Sequence, residues 1–264
     1  LAGTHWGDKY WLGAGLFAGS SERVNARENH MGEGYGFSAR AVWRPINTDQ
    51  TTVHFGFSAV ARTPERVTSD DGIVAVGGRS GSVVENRKFI AGGFSGIDHY
   101  TICDLEAAYR DDRFFVQGEA LCSTFATKER PGVITNGEKT YNIDGSESVS
   151  FWGGYLVGSY MLRGKQRSYS NSGAVFSNVN NEVEPGGNVE LMIGASAIDT
   201  QGYMGQAYEA LGAVNWYPNT AMMLGLSYTF TSFSKDAVAL GRLRSNSGDG
   251  LSYHTLQLRA QFVF

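Results

Sequence analysis

The most constraining feature of the sequence is a strict alternation of apolar and polar residues at its C-terminal end. From Leu256 the chain reads Leu-Gln-Leu-Arg-Ala-Gln-Phe-Val-Phe. One face carries Leu256, Leu258, Ala260, Phe262 and Phe264, and the other carries Gln257, Arg259 and Gln261. Successive side chains point to opposite faces only in a strand, so this pattern predicts a β-strand with one apolar and one polar face.

The same period recurs along the whole chain and predicts about ten strands. Residues 37–44 and 52–62 repeat the alternation most clearly. The other predicted strands lie near 9–18, 100–110, 113–126, 150–163, 188–199, 206–217 and 221–232. Most of them reach the ~9–11 residues that a tilted strand needs to cross a bilayer, whereas strands of soluble proteins commonly have about five or six.

The predicted connections alternate between short and long. The short ones are 47–51, 111–112 and 218–220, and the long polar ones are 20–34, 64–98, 128–147 and 233–250. Short turns on one side and long loops on the other are typical of an outer-membrane barrel. The segment 164–187 is an exception, because it is long but falls on the short-turn side. We therefore expect it to pack into or beneath the periplasmic mouth, with Val175 and Phe176 as apolar anchors.

A sheet can cross hydrocarbon only if it closes on itself, because every backbone N–H and C=O group must find a partner. The fold class predicted for residues 1–264 is therefore an all-β, transmembrane, antiparallel meander β-barrel of a single domain. The apolar face meets lipid and the polar face lines a lumen. Two uncharged stretches, 148–162 and 210–234, do not predict membrane helices, because the first is too short and the second is broken by Pro218.

The strands at 100–110 and 113–126 are predicted to form a hairpin. A two-residue turn at Asp111-Asp112 would pair Tyr109 with Phe114 and Cys103 with Ala120, leaving Cys122 diagonal to Cys103. We interpret the two cysteines as small apolar side chains on the outer face, with a disulfide as the alternative.

An odd-length turn is expected at residues 218–220, so that Val214, Trp216, Met222 and Leu224 share the lipid face. Interfacial aromatic girdles are expected from Tyr109 with Phe114 and from Trp216 with Tyr217.

Composition and motifs argue against several other functions. Lys and Arg number 22 against 26 Asp and Glu, giving a net charge of −4 without the basic footprint of a nucleic-acid binder. The chain has no G-x-S-x-G motif, and its five histidines form no metal-ligand pattern. We predict no catalytic residues, metal or cofactor. A membrane hydrolase built around His54 and Ser58 is the remaining enzymatic alternative.

Six segments in order resemble one family of membrane proteins. They are Ala39-Arg-Ala-Val-Trp-Arg-Pro45 with Val53-His-Phe-Gly-Phe-Ser58, Leu105-Glu-Ala-Ala-Tyr109 with Val116-Gln-Gly-Glu119, Trp152-Gly-Gly-Tyr155 through Tyr160 to Tyr169, Val189-Glu-Leu191, Asn215-Trp-Tyr217, and Leu256 to Gln261. Together they resemble the phosphate-selective porin O/P family of Gram-negative outer membranes, over nearly the whole chain.

The resemblance implies a porin for passive diffusion of small solutes, including anions such as phosphate. It also implies a barrel of about sixteen strands, usually trimeric, surrounded by lipid and lipopolysaccharide. The strands found here resemble the C-terminal part of such a barrel. Nothing matches the family's N-terminal third, which carries its constriction loop, so a smaller barrel remains the alternative. A non-conducting structural barrel, associated with other envelope proteins, is the second functional hypothesis.

The predicted polar face supplies the pore-lining candidates. They are Arg40, Arg44, Arg62, Asp104, Glu106, Glu119, Lys165, Arg167, Glu190 and Arg259. The arginines could contact anions, or they could form a transverse belt of salt bridges with the carboxylates. Near balance of charge on the strands predicts weak selectivity. A lumen filled by Trp11, Phe17, Phe115 and Phe125 would instead favour the structural barrel.

Overall fold

The structure is a computed structural model that describes residues 1–18, 34–64, 74–79, 88–127, 132–136, 139–143, 148–179, 182–237 and 250–262. Its strands in chain order are β1 (Ala2–Trp6), β2 (Tyr10–Ala18), β3 (Tyr35–Asn47), β4 (Thr52–Arg62), β5 (Val74–Arg79), β6 (Lys88–Ser95), β7 (Ile97–Arg110), β8 (Phe114–Thr127), β9 (Gly132–Asn136), β10 (Lys139–Ile143), β11 (Ser148–Arg163), β12 (Tyr169–Ser170), β13 (Val175–Phe176), β14 (Asn188–Asp199), β15 (Gln206–Asn219), β16 (Met222–Phe233) and β17 (Leu251–Phe262). Within these residues, no helix is long and apolar enough to cross a membrane.

Eleven of the strands form one antiparallel meander, in the order β1-β2-β3-β4-β7-β8-β11-β14-β15-β16-β17. The sequence predicted every strand of this sheet except β1. The predicted all-β antiparallel meander is thus confirmed. The connections 7–9, 48–51, 111–113 and 220–221 lie at one end of the sheet, which we call the short-turn end, together with the long segment 164–187. The other long connections lie at the opposite end, which also carries the short connection 200–205.

The sheet has two edges, β1 and β17, and is not closed within the described residues. Every neighbouring pair of strands is antiparallel, so the first and the eleventh strand run in the same direction. Joining β1 directly to β17 would therefore make a parallel pair. An antiparallel barrel needs an even number of strands, so this sheet requires an odd number of additional strands to close.

The two faces of the sheet have different chemistry. Outward side chains include Leu256, Leu258 and Ile193, which are 72%, 86% and 72% exposed. Thr229 and Thr231 on the inward face of β16 are buried. The outward placement of Leu256, Leu258, Ala260 and Phe262 is confirmed, while Phe264 lies outside the described residues. A face this apolar has no counterpart on an ordinary soluble sheet, and it matches the requirement for contact with lipid.

Two prolines sit at bulges that the sequence prediction read as strand ends or turns. The β3–β4 register shifts between Trp43 and Ile46, around Pro45, and the β15–β16 register shifts between Trp216 and Asn219, around Pro218. Proline lacks the N–H that a ladder requires, so a bulge accommodates it. The predicted odd-length turn at 218–220 is wrong, because β15 continues to Asn219. The predicted faces are nevertheless correct, since Trp216 pairs with Leu224.

The β7–β8 hairpin differs from its predicted register by two residues. Tyr109 pairs with Val116, and Cys103 lies directly opposite Cys122 rather than diagonal to it. The turn is set by Asp111, whose backbone N–H donates to the Phe114 carbonyl and whose carboxylate accepts from the N–H groups of Arg113 and Phe114. The loop residues are therefore Asp112 and Arg113. A shift of two residues keeps every side chain on its face, so alternation could not distinguish the two registers.

The long connections contain a second sheet, in the order β10-β9-β6-β5. Its Val74, Ile90 and Phe94 belong to a buried apolar cluster with inward residues of the main sheet. Phe94 stacks on Phe125 with ring centroids 4.8 Å apart, and Phe151 packs against both rings. We call this cluster the aromatic cap. The prediction of polar loops at 64–98 and 128–147 missed it.

The Asp111 turn gives a stability prediction. Although desolvation raises the pKa of Asp111, its hydrogen bonds from the Phe114 and Arg113 N–H groups, together with Tyr109, lower it overall. The carboxylate therefore stabilises the turn at neutral pH, and this contribution is lost as pH falls below the ordinary value of about 3.9. We expect Asp111→Ala to lower the free energy of unfolding in lipid vesicles at neutral pH by roughly 1 kcal/mol.

Asp112→Ala is the matched control, because the backbone groups of the turn bind the neighbouring Asp111 carboxylate instead. Urea unfolding followed by tryptophan fluorescence measures both variants. Equal stability of the Asp111 and Asp112 variants would contradict the assignment of the turn.

Candidate permeation pathway

Residues 164–179 of the long segment 164–187 fold back against the inward face of the main sheet. Its two short strands, β12 and β13, pair Tyr169 with Phe176 and form what we call the inner hairpin, residues 168–177. Trp11 on β2 donates from Nε1 to the Ser172 carbonyl across 2.9 Å. The segment packs against the inward face of the sheet at the short-turn end, and its position at the periplasmic mouth stays a prediction. Phe176 anchors it as expected, whereas Val175 is exposed.

A glycine allows the chain to leave β11 toward the lumen. Gly164 has φ +91°, in the left-handed region that residues with a Cβ rarely adopt. A Cβ at this position would also collide with the side chain of Asn188. Just after it, the Gln166 backbone N–H donates to the Asp112 carbonyl, and its side chain donates to Ser159 Oγ at 2.8 Å. The start of the segment is therefore held on the β7–β8 turn and on β11.

One wall of the sheet binds the inner hairpin through a polar cluster on β3, β4 and β7. Arg40 Nε donates to Glu106 Oε1 at 2.8 Å, and Arg40 Nη2 donates to the Ala174 carbonyl at 3.0 Å. His54 is buried, with Nδ1 2.8 Å from the Tyr169 hydroxyl and Nε2 3.5 Å from Glu106 Oε1. Burial raises the pKa of the Tyr169 phenol, so the hydroxyl stays neutral at physiological pH.

Arg44 is fully buried beneath the tip of the hairpin. Its guanidinium donates to the Asn171 carbonyl at 3.3 Å, to Asn171 Oδ1 at 3.2 Å and to the Tyr10 carbonyl at 2.7 Å, and it lies 5.3 Å from the Tyr169 ring centroid. These acceptors are uncharged oxygens. Arg40, in contrast, donates to the carboxylate of Glu106.

The opposite flank of the segment is held by β14 and β15. Glu190 is fully buried and accepts from Arg167 Nη2 at 2.7 Å, from the Tyr217 hydroxyl at 2.8 Å and from Asn215 Nδ2 at 3.3 Å. The Arg167 guanidinium lies 4.3 Å from the Phe115 ring centroid. We call this group the Glu190 anchor. Because separate walls of the sheet grip the segment, it spans the inward space rather than lying along one strand.

Two cavities remain beside the hairpin. One, of about 320 Å³, lies between the hairpin and the wall and is lined by Arg40, His54, Glu106, Glu119 and Arg167, among others. The other, of about 600 Å³, opens at the short-turn end and is lined by Arg110, Lys165, Asp49 and Asp112, among others. Both are polar enough to hold water and small ions, and both carry charges of either sign.

The structure brings together most of the candidates predicted from sequence. The residues in contact with the inner hairpin or its flanks are Arg40, Arg44, Glu106, Arg167 and Glu190. Asp104 and Glu119 lie on the inward face, where Asp104 accepts from Ser58 at 3.5 Å and Glu119 accepts from the Tyr155 hydroxyl at 2.7 Å. Lys165 is exposed at the short-turn cavity.

Two further candidates lie away from the hairpin. Arg62 is 9% exposed, with its guanidinium 5.7 Å from the Phe17 ring centroid. Arg259 is exposed on the edge strand β17 and donates to Gln261 Oε1 at 2.8 Å. The salt-bridge alternative is thus realised for Arg40 with Glu106 and for Arg167 with Glu190.

Sequence reasoning missed two residues that the alternation could have found. Arg110 shares the parity of Asp104 and Glu106, and it donates to the carbonyls of Asp49 and Thr48 at the short-turn end. Tyr217 shares the parity of Asn215. Its assignment to an outward aromatic girdle is wrong, because it is buried against Glu190. The hydrolase alternative finds no support, since His54 binds Tyr169 while Ser58 contacts Asp104.

Breaking the Glu190 anchor should loosen the inner hairpin. In Glu190→Gln the Arg167 cation loses its buried carboxylate, and a hydrogen bond to a charged group contributes about 1.5–3 kcal/mol. We therefore expect hydrogen exchange of the backbone amides in 164–187 to accelerate by roughly tenfold or more. Glu209→Gln is the matched control, an inward carboxylate on β15 that accepts from Thr231. Unchanged exchange in the Glu190 variant would contradict the role of the anchor.

Comparison with known proteins adds one finding about the whole chain. The family described as phosphate-selective porin O and P matches residues 1–264. The comparison with curated proteins found no match.

Proposed function

The chain belongs to the phosphate-selective porin O and P family, and on this basis we propose that it forms a channel for passive diffusion of small solutes past its own inner hairpin. The family is one of outer-membrane channels of Gram-negative bacteria rather than of enzymes. The observation that carries the proposal is the two-faced sheet. Its apolar face suits lipid, and its charged face contacts a polar hairpin that has cavities of about 320 and 600 Å³ beside it.

The direction of the chain in the membrane follows from the lengths of its connections. Outer-membrane barrels have short periplasmic turns and longer extracellular loops. We therefore assign the short-turn end, with the inner hairpin, to the periplasmic mouth and the aromatic cap to the extracellular one. A solute would pass the cap region first and the hairpin second.

The described strands would form part of a larger barrel of about sixteen strands. A second copy of this sheet in the same membrane orientation cannot close it, because β17 of one copy and β1 of the next would again run parallel. Closure needs an odd number of other strands in antiparallel order. Assembly of such barrels as a homotrimer, in contact with lipopolysaccharide, completes the proposal.

The charges of the pathway support weak selectivity, with anions such as phosphate among the permeants. Arg40 and Arg167 are neutralised by Glu106 and Glu190, so they shape the passage more than they attract ions. Lys165 and Arg110 line the periplasmic cavity together with Asp49, Asp112 and Glu182, so charges of both signs face a passing ion there. Walls that carry both signs attract neither anions nor cations strongly.

A non-conducting structural barrel is the second candidate, and the inward aromatics favour it. Phe115 and Phe125 are 2% and 4% exposed, and Phe115 packs edge-on against Phe176 of the hairpin. The aromatic cap and the inner hairpin occupy opposite ends of the same inward space. If they leave no continuous path, the barrel would serve the envelope as a scaffold.

Single-channel recording in planar bilayers distinguishes the two functions. We expect the full protein to conduct, and we expect replacement of residues 168–177 by a Gly-Ser linker to increase the single-channel conductance. Val175→Ala is the control, because Val175 is exposed and its loss leaves the hairpin contacts in place. Absence of conductance in both the full protein and the linker variant would favour the structural barrel.

The ion selectivity of the channel tests the role of the charged side chains, independently of the size of the conductance. Neutralising Arg40 and Arg62 together should shift the reversal potential in a KCl gradient modestly toward cations, since Glu106 then loses its partner. In the matched control, Arg40→Gln is combined with Glu106→Gln, which removes a neutral pair and should shift the potential less. No shift in the first variant would place these side chains outside the permeation path.

A further inference from the structure

The chain contains two cysteines, and the fold places them side by side. Cys103 on β7 and Cys122 on β8 are register partners, both exposed on the outward face with free thiols. Their neighbours in the same row are Ala59 on β4 and Trp152 on β11. Within these 264 residues only one disulfide pairing is possible.

The ladder between the two strands fixes their separation. Asp111 donates its backbone N–H to the Phe114 carbonyl, so this pair is a hydrogen-bonded one. The register then continues without a shift to Cys103 and Cys122. The two types of pair alternate and the step from residue 111 to 103 is even, so the cysteines also form a hydrogen-bonded pair, with Cα atoms about 5.5 Å apart. This value lies at the commonest Cα separation of disulfides, about 5.5–6 Å.

We propose that Cys103 and Cys122 are a modification site, at which a disulfide-carrying oxidoreductase of the periplasm joins β7 to β8. One cysteine thiolate attacks a sulfur of the oxidant's disulfide and forms a mixed disulfide, releasing the first thiolate of the oxidant. The second cysteine then attacks the mixed disulfide and releases the other. The chain gives up two electrons and two protons, and the oxidant leaves as a dithiol.

The position of the two thiols in the inserted barrel determines when thiol–disulfide exchange can occur. In the inserted barrel both thiols face lipid, which a water-soluble oxidoreductase does not enter. Exchange therefore takes place while the chain is still in the oxidising periplasm, before insertion. Once the barrel is inserted, lipid shields the bridge from reductants. The facing Cβ atoms of a hydrogen-bonded pair lie about 5.5 Å apart and those of a disulfide about 3.8 Å, so the two strands must approach locally by roughly 1.7 Å.

The bridge would remove an ambiguity that the sequence pattern leaves open. Sliding β7 against β8 by two residues keeps all apolar side chains outward, so burial does not select between the registers. A covalent link between residues 103 and 122 favours the register in which they are opposite. It therefore acts on the same hairpin as the Asp111 turn, from the far end of the strands.

Thiol counting by intact mass spectrometry tests the bridge in the protein as the cell makes it. Outer membranes are dissolved in denaturant with an excess of maleimide, with and without prior reduction. We expect no added maleimide before reduction and two after it, while Cys122→Ser should take up one maleimide without reduction. In cells lacking the periplasmic oxidoreductase, two additions are expected without reduction. Two additions in the unreduced wild type would overturn the proposal, and so would a disulfide-linked dimer.

A second pair of variants tests the geometry in the inserted barrel. Reduced protein in vesicles is treated with a membrane-permeant oxidant, and the native pair is compared with Ala120→Cys combined with Cys122→Ser, which places the second thiol opposite Leu105. We expect the native pair to cross-link at least several-fold faster. Equal or faster cross-linking of the displaced pair would contradict the register on which the site depends.

Discussion

The architecture depends on backbone pairing in a medium that offers no other hydrogen-bond partners. Each strand of the meander gives its N–H and C=O groups to its neighbours, from β2 through β16. Because the backbone groups are paired within the sheet, the outward face can be almost wholly apolar, as at Leu258 and Ile193. The charged side chains lie mainly on the inward face. The edges of β1 and β17 have no partner strand within the described residues, and such open edges are costly in lipid.

The charged side chains of the inward face are used chiefly to hold the inner hairpin. Arg40 is paired with Glu106 and Arg167 with Glu190, while Arg44 grips the backbone of the hairpin tip. An arginine held in this way cannot follow a passing anion, but it fixes the width of the passage.

The fold was largely predictable from sequence because side-chain alternation reports directly on which face is apolar. Alternation placed Leu256, Leu258 and the inward Arg40 correctly, and the unusual length of 164–187 on the short-turn side pointed to the hairpin. It could not fix the β7–β8 register, since a two-residue slip preserves both faces. It also could not show that Pro218 sits at a bulge, or that Tyr169 meets His54, because those contacts depend on residues far apart in the chain.

The most direct test of the account is whether the inner hairpin lies against β3 in the assembled barrel. Asn47 Nδ2 donates to Asn171 Oδ1 at 2.9 Å, so cysteines at both positions, in a chain with Cys103 and Cys122 replaced by serine, should be cross-linkable in intact outer membranes. The account predicts that the double variant cross-links efficiently on mild oxidation, while Asn47→Cys with Val175→Cys does so much less. A hairpin that never reaches the wall would give no preferential link between residues 47 and 171, and that result would contradict the account.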